Sequence, residues 1–237
     1  MKILTEDEQS IAERAITFAR SERTRIAKDI TCKDTYPPDN NPVAVFMCGS
    51  PGAGKTEASK AFLERIEATN VLRIDPDELR SLFTDYKGDN SYLFQSAVSL
   101  IVERILDNTF KNNQSFLLDG TLSSLDVARK NISRALKKGR EVLILFVYQP
   151  PEQAWQFVKA REKDEGRGIL PETFIEQFFG SQHVVNELKN EFGGQIRVDL
   201  LIKAINGDLK AYRDNISAVE HHLPKKYTRN ELLLLIS

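Results

Sequence analysis

Hydrophobic residues along the chain follow two periods, one typical of buried strands and one typical of amphipathic helices. Short apolar runs predict β-strands at 43–48, 71–74, 115–118, 141–148 and 196–202. Between these runs, helical spacing of apolar residues predicts helices at 55–68, 92–110, 127–138, 152–163 and 171–190. Strands that alternate with helices are typical of βαβ units, so we expect an α/β fold with a mostly parallel, five-stranded sheet flanked by helices.

The regions on either side of this alternating pattern differ from it. Thr5 and Glu8 have the spacing of a capping box, and the residues that follow predict an amphipathic helix from residue 6 to about 30. The prolines between residues 36 and 42 cannot continue that helix. We therefore divide the chain into an N-terminal amphipathic helical segment (1–35), a proline-rich linker (36–42), a main domain (43–202) and a C-terminal extension (203–237) that ends in a short helix.

Composition and charge narrow the class of protein. The 237 residues include 33 Lys and Arg against 34 Asp and Glu, and this balance argues against a nucleic-acid coat or a polybasic membrane binder. No apolar run approaches the roughly 20 residues that a membrane helix needs. Cys32 and Cys48 form neither a metal-ligand pair nor a disulfide framework, so we expect reduced thiols and a cytoplasmic protein.

A phosphate-binding motif follows the first predicted strand. The pattern G-x-x-x-x-G-K-[ST] is satisfied by Gly49, Ser50, Pro51, Gly52, Ala53, Gly54, Lys55 and Thr56. The backbone of such a P-loop curls around an anion, and the next helix directs its positive end at the phosphates. Lys55 would contact the β- and γ-phosphates and the Thr56 hydroxyl would bind Mg²⁺, so we expect a nucleoside triphosphate as ligand.

Acidic residues follow two further strands. Asp75 and Asp77 come after the second strand, and Asp119 and Thr121 come after the third. Because ligands of open α/β sheets bind at the carboxyl ends of the strands, we expect these residues to face the cleft. Asp75 suits either the N-cap of a following helix, with Pro76 at its first position, or a catalytic role. For Asp119, two roles remain open: binding Mg²⁺ through water, or contact with an acceptor substrate.

Two arginines share a place in the chain that suits a lid. Arg161 lies on the helix after the fourth strand, and Arg167 lies in the glycine-flanked turn that follows. A loop that closed there would bring guanidinium groups to a transferring phosphoryl group, whose charge is spread over its oxygens. Their shared position, rather than either residue alone, favours this interpretation.

Together these motifs resemble the zeta toxin family, the kinase halves of bacterial epsilon–zeta toxin–antitoxin systems. The resemblance covers residues 43–202 and rests on the P-loop, on the segments 74–77 and 118–121, and on the lid arginines followed by Pro171. It implies a P-loop kinase fold, transfer of a phosphoryl group from ATP or GTP to UDP-N-acetylglucosamine, and an antitoxin protein as partner.

The resemblance also implies roles for single residues. Asp77 matches the base that deprotonates the acceptor hydroxyl, Lys55 matches the P-loop lysine, and Arg161 and Arg167 match the arginines that bind the phosphoryl group. The family usually has Glu where Asp119 stands, and that acid, like Thr121 beside it, belongs to the acceptor-binding part of the site. The spacing between Arg161 and Arg167 is also shorter than in the family. These two differences from the family pattern affect the expected identity of the acceptor and leave the expected binding of the nucleotide unchanged.

Three functions are therefore compatible with the sequence. The leading hypothesis is a kinase that transfers the γ-phosphoryl group of ATP or GTP to a small-molecule hydroxyl, with UDP-N-acetylglucosamine as the expected acceptor, acting as the toxin of a toxin–antitoxin pair. The second is a kinase of the same build that acts on a nucleoside, an antibiotic or a nucleic-acid end. The third is a nucleotide-dependent binding module that has no acceptor. The absence of an N-K-x-D motif disfavours a GTPase.

Overall fold

A six-stranded sheet runs through the computed structural model, which describes residues 4–166 and 168–236. The strands are β1 (Val43–Cys48), β2 (Leu72–Ile74), β3 (Phe116–Leu118), β4 (Glu141–Tyr148), β5 (Ile196–Lys203) and β6 (Leu209–Arg213). Their spatial order is β2-β3-β1-β4-β5-β6, in which β1 to β5 are parallel and β6 is antiparallel to β5. The predicted α/β class and mostly parallel sheet are confirmed, and β6 adds a sixth strand to the five predicted.

Helices flank the sheet at most of the predicted places. They are α1 (Glu6–Ile30), α2 (Lys55–Arg65), α3 (Gln95–Lys111), α4 (Leu125–Lys137), α5 (Pro151–Glu165), α6 (Pro171–Phe192) and α7 (Arg229–Ile236). Two predicted helical stretches differ in form. The helix expected after the Asp75–Asp77 segment is a short 3₁₀-helix at Glu78–Leu82, and a second 3₁₀-helix at Ser91–Phe94 precedes α3.

The sheet buries both of its faces, and β1 shows this best. On one face, Val45 and Met47 pack with Ala58 of α2 in a small apolar cluster. On the other face, Phe46 and Cys48 belong to the main core, to which α1, α3, α4, α5, α6 and α7 contribute. Alternate residues of a strand point to opposite faces, so a strand covered on both sides is apolar throughout, as β1 is.

The N-terminal helix α1 packs along α3. Its capping box is formed as predicted, because the Thr5 hydroxyl accepts from the Glu8 amide and the Glu8 carboxylate accepts from the Thr5 amide. The buried face includes Ala15 and Ala19, and Phe18 packs edge-on against Phe83 with ring centroids 5.4 Å apart. Small residues at the contact let two helices approach closely, which suits a helix held on its own domain.

The parallel strands bring several loops to one edge of the sheet. Cys48 at the end of β1 pairs with Phe146 of β4, and Ile74 at the end of β2 pairs with Leu118 of β3. The P-loop, the Asp75–Asp77 segment and the Asp119–Thr121 segment therefore leave the sheet at the same edge. Among the described helices, none has the length and apolar character needed to cross a membrane.

Candidate active site

The P-loop has a backbone conformation that requires glycine at two positions. Gly49 has a φ of +143° and Gly52 has a φ of +70°, both in the region that side chains disfavour. A Cβ atom at Gly49 would collide with the carbonyl oxygen of Val147, and one at Gly52 would collide with that of Ala154. The loop thus lies against β4 and α5, and α2 begins immediately after it at Lys55.

Lys55 lies over the loop that precedes it. Its Nζ donates to the carbonyl oxygens of Gly49 (3.0 Å) and Ser50 (2.8 Å), so the ammonium group lies at the mouth of the P-loop. Burial lowers the pKa of Lys55; the charge of Arg161 adds to this effect, and those of Asp119 and Asp77 oppose it. The charge of Lys55 is therefore coupled to one arginine and two carboxylates that are distant from it in the sequence.

Asp77 lies between two arginines. Its Oδ1 accepts from Nη1 of Arg80, and its Oδ2 accepts from Nη2 of Arg161 at 3.0 Å. Arg161 also donates through Nε to Glu165 at 3.2 Å. Burial lowers the pKa of Arg161, but the carboxylates of Asp77 and Glu165 outweigh that effect and raise it. The Asp77–Arg161 pair joins the segment after β2 to α5, and Asp77 remains 37% exposed in its side chain.

A second cluster centres on Arg73 of β2. Its guanidinium donates to Ser59 Oγ (3.0 Å), Glu78 Oε1 (2.8 Å), Asp75 Oδ2 (2.5 Å) and Asp119 Oδ2 (2.6 Å). Ser59 Oγ itself lies 2.8 Å from Asp119 Oδ2 and 2.9 Å from the Thr56 carbonyl oxygen. One arginine therefore connects the ends of β2 and β3 with α2.

The structure shows what Asp75 does. Its Oδ1 accepts from the Asp77 amide at 2.8 Å, so it stabilises the turn that carries Asp77, the residue immediately before the 3₁₀-helix. Burial raises the pKa of Asp75, and the charges of Asp119 and Asp77 add to this rise, against the Asp77 amide and Arg73. Asp75 is therefore a turn-forming residue that lies among several other carboxylates. It is not the N-cap of a following α-helix, because the helix that follows is a 3₁₀-helix and Asp77 is its N-cap.

Asp119 and Thr121 are turned in different directions. Asp119 is 5% exposed and its Oδ2 is bound by Ser59 and Arg73, next to α2. The Thr121 hydroxyl instead lies 3.1 Å from Ser123 Oγ. Of the two roles left open for Asp119, its position favours the one on the Mg²⁺ side, because Ser59 also contacts the carbonyl of Thr56.

The residues present fit a magnesium ion that is shared with a nucleotide. Hydroxyl and carboxylate oxygens, such as those of Thr56 and Asp119, are the ligand types that Mg²⁺ prefers. Within residues 4–166 and 168–236, no group of three or more His, Cys, Asp or Glu side chains is arranged to hold a metal ion. Mg²⁺ commonly binds through one or two protein oxygens together with phosphates and water.

The predicted lid is described only in part. Gly166 ends α5 with a left-handed φ of +71°, and α6 begins at Pro171. Arg167, which the sequence pairs with Arg161, lies outside the described residues. Of the two lid arginines, the contacts of Arg161 are therefore the ones described.

Two arginines of this site, Arg73 and Arg80, were not predicted from the sequence. Arg73 is a charged residue inside an apolar strand, two positions before Asp75, and the two-residue period of a strand puts both side chains on one face. Arg80 is buried, donates to Asp77 and to Gln95 Oε1 (3.1 Å), and has an Nε without a hydrogen-bond partner among the described residues. Its spacing of three residues from Asp77 on a helical turn is a signal that could have identified it.

A family model described as Zeta toxin matches residues 26–217. The chain belongs to the zeta toxin family. The matched region includes the P-loop, the Arg73 cluster and the Asp77–Arg161 pair, and it extends beyond 43–202 on both sides.

Two characterised relatives of this zeta toxin family member match part of the chain. Toxin PezT of Streptococcus pneumoniae is 26% identical over 121 residues, which make up 48% of this chain and 47% of that protein. The cytidine diphosphoramidate kinase of Campylobacter jejuni is 28% identical over 88 residues, 36% of this chain and 49% of that protein. The chain thus aligns with about half the length of each of these curated relatives.

Solved structures agree with the fold. A chain from the PezAT toxin–antitoxin system of Streptococcus pneumoniae superposes with a TM-score of 0.67 at 16% identity, covering 99% of this chain and 96% of that one. A chain from the AvrRxo1-ORF1:-ORF2 complex with ATP superposes with a TM-score of 0.54 at 17% identity, covering 86% of this chain and 65% of that one. At these identities the likeness concerns the fold.

Proposed function

We propose that this zeta toxin family member is a kinase that transfers the γ-phosphoryl group of ATP or GTP to a hydroxyl group of a small molecule. The observation that carries the proposal is the ion pair of Asp77 after β2 with Arg161 on α5, at the same edge of the sheet where Lys55 lies over the P-loop. A P-loop needs only the first of these to bind a nucleotide. A carboxylate and a lid arginine beside it provide what transfer requires in addition.

Asp77 acts as the general base in this proposal. A carboxylate within hydrogen-bond reach of the acceptor hydroxyl orients the oxygen and receives its proton as the oxygen attacks the γ-phosphorus. The bond from that phosphorus to the bridging oxygen breaks, and the nucleoside diphosphate leaves. The Asp75 carboxylate, which accepts from the Asp77 amide, keeps the base in place.

Arg161 and Lys55 neutralise charge on the transferring group. In the structure the guanidinium of Arg161 is paired with Asp77 and Glu165. A bound γ-phosphate is a stronger competitor for that guanidinium, so we expect Arg161 to turn toward the nucleotide and free Oδ2 of Asp77 for the acceptor. We assign Arg167 to the same role as Arg161.

Magnesium would bind between the nucleotide and α2. When bound, Mg²⁺ neutralises phosphate charge and holds the β- and γ-phosphates in a reactive geometry. The Thr56 hydroxyl would be its protein ligand, and Asp119 would act on this side of the site rather than on the acceptor. Thr121 remains the proposed acceptor contact.

The acceptor we propose is a nucleotide-linked small molecule, with UDP-N-acetylglucosamine as the first candidate because the family resemblance implies it. The cytidine diphosphoramidate kinase among the relatives acts, by its name, on another pyrimidine nucleoside diphosphate derivative. That relative favours a second candidate, a pyrimidine nucleoside diphosphate derivative that carries no N-acetylglucosamine. Similarity to toxin PezT supports a toxin whose partner is an antitoxin protein.

Metabolite analysis tests the proposal in cells. We would express the wild-type chain and the Lys55→Ala variant, and compare the metabolites that gain a phosphate by mass spectrometry. The proposal expects a phosphorylated nucleotide-linked compound with the wild type alone. A metabolite profile that is the same for both proteins would contradict a kinase and favour the nucleotide-dependent binding module.

A further inference from the structure

We infer that Arg73 is a positioning residue that couples the acceptor side of the site to the nucleotide side, and this inference rests on the function proposed above. Among the described residues, the guanidinium of Arg73 holds three carboxylates, those of Asp75, Glu78 and Asp119. Asp75 supports the segment that carries Asp77, and Asp119 supports the start of α2.

The first link leads to the proposed base. Nη2 of Arg73 donates to Oδ2 of Asp75 at 2.5 Å, and Oδ1 of the same carboxylate accepts from the Asp77 amide at 2.8 Å. The carboxylate of Asp75 is therefore fixed at both oxygens. Because the amide of Asp77 is held, the arginine determines where the Asp77 backbone lies and hence where its carboxylate can reach.

The second link leads to the proposed magnesium ligand. Nη2 and Nε of Arg73 donate to Asp119 Oδ2 (2.6 Å) and to Ser59 Oγ (3.0 Å). Ser59 lies one helical turn after Thr56 and contacts its carbonyl oxygen at 2.9 Å. Arg73 and Asp119 thus hold the first turn of α2, from which the Thr56 hydroxyl would bind Mg²⁺.

The chemistry of this position calls for an arginine. The Arg73 side chain is 13% exposed and serves four oxygens, one each from Ser59, Asp75, Glu78 and Asp119. A planar guanidinium offers five donors in fixed directions, whereas an ammonium group is a point charge with three. A lysine at this site would keep the charge and lose part of the geometry.

The test compares R73K with R197K. Arg197 also lies on a strand two residues before a buried aspartate, and its Nε donates to Asp199 Oδ1 at 2.7 Å, in a part of β5 that does not contribute to the site. The two substitutions are matched in chemistry and in the spacing to the aspartate, whereas the Arg197 side chain is 53% exposed and that of Arg73 is 13% exposed. A third variant, Ser59→Ala, removes the hydroxyl contacts of α2 with Arg73 and Asp119 and leaves the Arg73–Asp75 hydrogen bond in place. Thermal unfolding verifies that each variant is folded.

Two readouts separate positioning from a general loss of stability. In the ligand-free protein, hydrogen exchange at the Asp77 amide should be faster in R73K and unchanged in R197K and Ser59→Ala. With nucleotide and acceptor, kcat should fall about 10–100-fold in R73K with KM little changed. This is the usual effect of changing a residue that orients the residues in contact with the ligand. R197K should keep the wild-type kcat.

The two proposals fail in different ways. An Asp77 amide that exchanges equally in R73K and R197K, or an R73K kcat equal to that of R197K, would overturn the role of Arg73 and leave the kinase function standing. A wild-type protein that transfers phosphate to no acceptor would overturn the proposed function. In that case the exchange measurement still decides whether Arg73 fixes the Asp77 turn.

Discussion

Arg73 and Arg197 each lie on a parallel strand two residues before a buried aspartate, and each donates a hydrogen bond to it. The two pairs, Arg73–Asp75 and Arg197–Asp199, share a sequence pattern and differ in their place in the sheet. The first lies at the carboxyl end of β2, beside the P-loop helix. The second lies within β5, where the antiparallel strand β6 covers it.

Their surroundings differ in charge balance. Asp199 accepts from Arg197, from the Asn215 amide (2.9 Å) and from the Tyr212 hydroxyl, and these bonds hold the pKa of Asp199 below its ordinary value although burial raises it. Asp75 shares its arginine with Asp119 and Glu78, and its pKa is raised. The Arg197–Asp199 pair is a structural contact with satisfied acceptors, and the Arg73–Asp75 pair lies among further carboxylates at the edge of the sheet that carries the P-loop.

This difference shows why the motif Arg-x-Asp carries no function by itself. Around Asp199, the Tyr212 hydroxyl and the Asn215 amide attach β6 and the residues after it to β5. In β2 the same local geometry is used to hold two loops and a helix, and the unbalanced charge suits a site that binds a cation with its nucleotide. We therefore expect substitutions near Arg73 to affect activity first, and substitutions near Arg197 to affect stability first.

The largest expected effect is on activity in the first region. Lys55→Ala should lower the rate of phosphoryl transfer by about 10³-fold, because a charge placed for the transition state is removed from a partly desolvated site. The unfolding temperature should change little, since among the described residues the Lys55 ammonium donates to carbonyl oxygens of its own loop. Radiolabelled transfer and thermal unfolding measure the two. A variant that transfers at the wild-type rate would contradict the P-loop assignment.

The next effect concerns the lid arginine. Arg161→Ala should lower kcat by about 10²-fold with a modest change in nucleotide affinity, because its interaction with the phosphoryl group strengthens as charge develops. Steady-state kinetics and nucleotide binding are the measurements. If the variant instead keeps its kcat and loses nucleotide affinity, Arg161 is a binding residue and the exchange of partners from Asp77 to phosphate is wrong.

The second region should respond in stability. Asp199→Asn removes a carboxylate that accepts from three donors, and we expect it to lower the free energy of unfolding by about 1–3 kcal/mol. Chemical denaturation measures the loss. Transfer activity at a temperature where both proteins are folded should equal that of the wild type, and a loss of activity there would erase the distinction between the two regions.

The smallest effect is a pH dependence of opposite sign in the two regions. The lowered pKa of Asp199 means that its stabilising contribution is present above its unfolded pKa of about 3.9 and is lost as pH falls through the folded value. The raised pKa of Asp75 means that its contribution is present below about 3.9 and is lost as pH rises through the folded value.

Denaturation of the wild type, Asp199→Asn and Asp75→Asn at pH values from neutral to acid measures this effect. The stability difference between wild type and Asp199→Asn should shrink on acidification. The free energy of unfolding of the wild type relative to Asp75→Asn should rise on acidification, because the contribution of Asp75 is present at low pH. Changes of the same sign in both variants would mean that the two carboxylates have similar surroundings.

Local signals account for the parts of the fold that the sequence predicted. The buried strand β4 has the predicted bounds because it is apolar on both faces, and the capping box of α1 is a contact between residues three apart. The edge strand β6 was missed because its residues are mostly exposed and form no apolar run. The helix after Asp77 is 3₁₀ and only five residues long, a distinction that periodicity cannot make over so short a stretch.

The site shows the same limit. The P-loop is contiguous in sequence, and its position before α2 follows from the motif alone. The Arg73 cluster joins Ser59, Asp75 and Asp119 from three separate segments, and such contacts depend on the strand order β2-β3-β1. Asp119 illustrates the consequence, because the sequence left two roles open and its neighbours in space favour one.

The central claim is that Asp77 activates an acceptor hydroxyl for attack on a nucleotide bound by the P-loop. Measuring transfer from γ-labelled ATP to UDP-N-acetylglucosamine and to cytidine diphosphate derivatives, together with ATP affinity, for the wild type and Asp77→Asn tests it most directly. The account predicts that Asp77→Asn binds ATP as the wild type does and loses transfer by about 10²–10⁴-fold. An Asp77→Asn protein that still transfers at the wild-type rate would contradict it.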